Sequence, residues 1–139
     1  MDILNDPLDL KVVGSSVWYN SDTLVKIGET TDEIGLYEYM HLWIMEGIRT
    51  RHELTTSTNS EVAIQVETEA SKLPPGDNSL SNSMKRLTRQ NEILSNDKEY
   101  QTAMTELQIL RLEAEKLMIL IRSERRKFIS ASLNFKSEV

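Results

Sequence analysis

Three features predict a mainly α chain: a small N-terminal extended or strand element, one buried helix, a polar loop, and a long C-terminal helix or helix pair with coiled-coil-like heptads. Residues 80–133 contain no Pro or Gly, and their apolar residues recur at helical spacing. Residues 30–54 open on a capping signature and are apolar on nearly every side. A Ser-, Thr- and Asn-rich stretch containing Pro74-Pro75-Gly76 separates the two. The regions are therefore 1–54, 55–83, 84–133 and a tail, 134–139. At 139 residues a second independent core is not expected.

Each element has a local reason. Leu8, Leu10 and Val12 alternate, Gly14-Ser15-Ser16 interrupts, and Val17-Trp18-Tyr19 resumes with residues that favour strands. This reads as a short strand or an extended arm packed on a partner, followed by a brief helical turn capped at Ser21-Asp22. Thr30-Thr31-Asp32-Glu33 matches a capping box, in which a Thr hydroxyl accepts from an amide and the Glu reaches back to the cap. The helix it starts carries Ile34, Leu36, Tyr37, Met40, Trp43 and Ile44 among others, and is expected to be buried on most faces. Arg49, Arg51 and His52 suit a helix C-terminus and mark a return to solvent near Leu54. Gly35 and Gly47 each cost about 1 kcal/mol against Ala in a helix interior. Close approach of another backbone or chance placement accounts for them.

Residues 55–83 have the composition of a linker or mobile loop. Within them, 61–67 read as a short strand by alternation or a short helix through Val62, Val66 and Ala70. A cap at Ser60 and a stop at the prolines favour the helix.

The C-terminal segment holds two heptad series. Leu80, Leu87 and Leu94 recur at one heptad position, with Met84 and Asn91 at companion positions. Tyr100, Leu107, Ala114, Ile121 and Phe128 form the second series, interleaved with Ala103, Leu110, Leu117, Glu124 and Ala131. The two do not share a register, so a break, bend or stutter is expected at 95–99. Unbroken, the helix would reach about 80 Å at ~1.5 Å per residue, roughly twice the ~30–40 Å of a compact globule of this size. The segment must fold back or associate. Ile109, Leu112, Met118, Ile119 and Leu120 lie off the seam and make the distal series too apolar for a two-stranded coil. Several neighbours are expected to cover it, the helix at 30–54 among them.

Composition excludes several functions. The net charge of −6 argues against nucleic acid as the main ligand. The local cluster Arg122, Arg125, Arg126 and Lys127 still admits phosphate, an acidic partner, or plain solvation at a helix end. With no Cys, disulfides, thiolate metal sites and thiol catalysis are ruled out. No basic-flanked apolar leader and no run approaching about 18 apolar residues is present, so a soluble, intracellular chain without a membrane span is expected. His41 and His52 lie about three turns apart on one helix, which excludes a shared metal there. Gly14-Ser15-Ser16 lacks the flanking glycines of a nucleophile elbow, and no phosphate-cradling loop occurs. No catalytic, cofactor-binding or metal-binding residue is assigned, and an enzyme is not expected.

Association remains. Trp18, Tyr19 and Trp43 carry large apolar areas that either anchor an interface or fill a small core. Together with Leu107, Leu110, Leu117, Ile121 and Phe128 they are the candidate partner-binding residues, and Asn91 at a seam position can fix register. The layout is similar to that of small accessory subunits of large eukaryotic assemblies, such as chromatin-remodelling, transcription-regulatory or kinetochore complexes. The expectation is a non-catalytic subunit of a larger multiprotein complex, nuclear rather than cytoplasmic and chromatin- or transcription-related. It would bind larger protein subunits through apolar helices, with any nucleic-acid contact indirect. The alternatives are a self-associating helical scaffold or tether, and a kinetochore-type or nucleic-acid adaptor.

Overall fold

The computed structural model describes residues 10–138, with side chains as far as Leu133. Leu8, where the alternation begins, lies outside them. The element order is β1 (Leu10–Val13), β2 (Ser16–Tyr19), α1 (Ser21–Gly28), α2 (Glu33–Ser71), α3 (Ser83–Asn96) and α4 (Lys98–Glu138). The chain is mainly helical, with a small N-terminal sheet and a long C-terminal helix. It divides into two compact units, Met1–Arg49 with Gln108–Val139, and Thr50–Leu107. These units cut across the regions 1–54, 55–83 and 84–133, because packing joins residues far apart in sequence. Residues 134–138 continue α4 and do not form a separate tail.

In the first unit β1 and β2 form an antiparallel hairpin in the register Leu10↔Tyr19 to Val13↔Ser16. Its turn places Gly14 at φ +62° ahead of Ser15, the order of a type II′ turn, which matches the twist of the flanking strands. The inner face of Leu10, Val12, Val17 and Tyr19 packs on the core. On the outer face the Lys11 ammonium sits 5.4 Å from the centre of the Trp18 ring. The cap of α1 is Asn20, one residue before the expected Ser21: its side-chain oxygen accepts from the amides of Asp22 (3.0 Å) and Thr23 (3.3 Å). The start of α2 is likewise capped by Asp32 and not by Thr30. The Asp32 carboxylate accepts from the Gly35 amide at 2.8 Å, whereas the Thr30 hydroxyl donates back to the Ile27 carbonyl at 3.0 Å. The core gathers Leu10, Ile27, Trp43, Ile44, Leu110 and Leu117 from the hairpin, α1, α2 and α4.

The second unit contains the clearest departure from the sequence reading. Residues 55–71 are helical and belong to α2, and the irregular connection is only 72–82. Val62 and Val66, one turn apart, are buried with Leu94, and Leu80, Ile93 and Tyr100 pack around them. Hydroxyls that would favour a loop instead bond backward within the helix: Thr55 to the His52 carbonyl (3.0 Å), Thr68 to Ile64 (2.9 Å), Ser71 to Thr68 (2.8 Å). Ser60 is therefore mid-helix and caps nothing. Arg51 and His52 do not mark a helix end either, and Arg51 is paired with Glu106 at 3.2 Å. After α2, Asp77 N donates to the Pro74 carbonyl at 3.1 Å, and Gly76 at φ +89° occupies the turn position that requires it. Asn82 caps α3 by accepting from the Lys85 amide at 2.9 Å.

Asp97 separates α3 from α4, inside the register mismatch at 95–99. Its amide closes α3 onto the Leu94 carbonyl at 3.2 Å, while its own carbonyl accepts from Gln101 at 3.0 Å. Its carboxylate accepts from the Tyr100 amide at 3.0 Å, so one residue ends one helix and caps the next.

Candidate protein-docking faces

Most of the candidate partner-binding residues lie inside the chain. Trp43, Leu110 and Leu117 are 3%, 0% and 2% exposed in the first unit's core. Ile121 is buried in the same unit, and Leu107 is buried in the second. Tyr19 is half-buried, and its hydroxyl donates to Glu113 at 3.1 Å. Burial first, then the Glu113 charge, push its ionisation well above the usual phenol range. Only Trp18 and Phe128 are exposed. The distal heptad positions thus supply core to this chain, because α2 packs against that face of α4. The proximal series is not buried as a seam: Leu94 is buried, but Leu87, Met84 and Asn91 are exposed.

The open apolar residues are those off the heptad. On α4, Leu112 and Ile119 are 63% and 64% exposed. They are seven residues apart and so share a face, roughly opposite Leu110 and Leu117. On α2, Leu42 and Met45 are exposed, whereas the other large apolar residues of 34–48 are buried or half-buried. A groove of about 390 Å³ is lined by His41 of α2 and by Ala114, Glu115, Met118, Ile119 and Arg122 of α4. The signal for this surface was present in the sequence as apolar residues exceeding the seam.

Phe128 has a specific reason to be bare. It continues the stripe of Leu117 and Ile121, but α2 begins only at Glu33. Arg125 pairs with Glu38 at 2.8 Å, so α2 runs out about one turn farther along. Ile129 and Leu133 are exposed beside it. Lys127 pairs with Glu124 at 3.0 Å, whereas Arg122 and Arg126 have no carboxylate partner among the described residues.

The second unit has two further grooves. One, of about 670 Å³, is lined in part by Leu73, Leu80 and Met84. Two of its three cations are engaged: Lys85 donates to the Asn78 carbonyl at 2.8 Å, and Arg89 pairs with Glu69 at 3.1 Å and Glu92 at 3.3 Å. The Arg89 hydrogen bond holds the Glu69 carboxyl below its usual range. The other, of about 560 Å³, contains the Arg51–Glu106 pair. Among the described residues no group of His, Asp and Glu could hold a metal ion, and no helix is long and apolar enough to cross a membrane. No protein family, curated protein or solved structure matches the chain.

Proposed function

We propose that this chain is a non-catalytic subunit of a larger protein assembly, held there by the outer apolar faces of α2 and α4. The observation that carries the reading is the pair Leu112 and Ile119, large apolar side chains on one face and largely open to solvent. The partners are larger protein subunits. A nuclear location and a chromatin- or transcription-related assembly belong to the proposal through likeness of layout alone.

The test is stoichiometric co-purification of the tagged chain from its source cells. Leu112→Asp with Ile119→Asp should leave circular dichroism unchanged, since both sites are exposed, and should release the co-purifying subunits. Retention of the same subunits by a folded double variant overturns the proposal. Light scattering of the isolated chain tests the scaffold alternative, which requires a defined homo-oligomer.

A further inference from the structure

We propose that the last turns of α4 are a docking site for an acidic amphipathic helix of a partner protein. This deepens the subunit reading above and rests on it. Arg122, Arg125, Arg126, Ile129 and Leu133 fall at i, i+3, i+4, i+7 and i+11, which is one face of a helix. Phe128 lies on the neighbouring stripe that Leu117 and Ile121 begin, and Ile129 and Leu133 are both more than half exposed. Three guanidiniums and two large apolar side chains therefore share one strip.

Charge identifies the occupant. The chain as a whole carries −6, yet residues 122–133 are basic, with Glu124 their only carboxylate. Glu124 is turned to Lys127, which lies off the strip. Arg125 shows the chemistry the strip accepts, since its guanidinium already takes the Glu38 carboxylate of α2 at 2.8 Å. Arg122 and Arg126, without such partners among the described residues, present the same fork to carboxylates from outside. A second copy would set one basic strip against another, which like-charge repulsion disfavours. The strip is also continuous with the groove beside His41, because Met118, Ile119 and Arg122 line that groove on the same side of α4. A groove leading into a ridged strip suits a helix better than a flat bilayer, and from Met118 to Leu133 it offers about 23 Å at ~1.5 Å per residue. The occupant places Leu or Ile against Ile129 and Leu133 and Glu or Asp against Arg122 and Arg126.

The experiment uses the full chain and a fluorescent synthetic helix with Leu at heptad a and d positions and Glu elsewhere, read by anisotropy. A Lys version of the peptide, phosphatidylserine vesicles and a short DNA duplex are the other arms. The Glu helix should bind and weaken as salt rises. Arg122→Glu with Arg126→Glu, and separately Ile129→Ser with Leu133→Ser, should each weaken it at least about tenfold. Leu87→Ser, on an exposed site elsewhere, should leave it unchanged. Equal binding of the Lys helix, preference for vesicles or duplex, no binding, or indifference to both double variants overturns the assignment. If the Glu helix fails while co-purification still depends on Leu112 and Ile119, the assignment falls and the subunit reading stands. If the helix binds as expected while co-purification ignores those two residues, the converse holds.

Discussion

Asp32 shows how one side chain fixes the entry to α2. Its carboxylate takes the Gly35 amide, one of the donors that a helix start leaves without an internal partner. Asp32→Ala should cost about 1 kcal/mol, and Thr30→Ala less, because Thr30 serves the preceding helix; urea midpoints of the two variants check the ranking. Gly35 is explained at the same turn. A Cβ there would lie 1.7 Å from Thr31 Oγ1 and 2.9 Å from Thr31 Cβ, so the close approach comes from a neighbouring side chain and not from another backbone. Tyr19 gives a pH dependence. Its ionisation is raised in the fold, so its contribution is complete below about 10, the unfolded value, and declines as pH rises above it. Stability measured from pH 8 upward should fall less steeply above about 10 in Tyr19→Phe than in the parent chain.

Composition misleads most about α2. Residues 55–71 are rich in Ser, Thr and Asn, which normally compete with the helix for backbone partners. Two facts outweigh that tendency. Val62 and Val66 are spaced one turn apart and are buried against Leu94, and the hydroxyls of Thr55, Thr68 and Ser71 bond inside the helix. The valine spacing was legible; that Leu94, far along the chain, would bury it was not. Pro74 and Pro75 were correctly legible as the stop, since Ser71 is the last helical residue before them. Ser57→Pro separates the two views. In an exposed loop it would be tolerated, whereas inside α2 it should cost about 3 kcal/mol or more, seen as lost ellipticity at 222 nm and a lower urea midpoint.

For the molecule as a whole, a heptad pattern specifies which face of a helix is buried but not what buries it. In this chain Leu110 and Leu117 meet Trp43 and Ile44, so the face that reads as an interface is core, and the surplus apolar residues become the surface. The candidate site was therefore half legible: Leu112, Ile119 and Leu120 stood out as excess, but their exposure depended on α2 taking the other side of α4 in the same chain. This division is measurable by stability alone. Leu110→Ala removes a side chain that is 0% exposed and should cost ~2–5 kcal/mol, the range for emptying a packed leucine site. Leu112→Ala, two residues away on a 63% exposed side chain, should stay within about 0.5 kcal/mol of the parent. Urea denaturation of the two variants decides the matter. Similar losses at both positions would mean that Leu112 is covered by a second copy in solution, and the outer face of α4 would then no longer be open to a different partner.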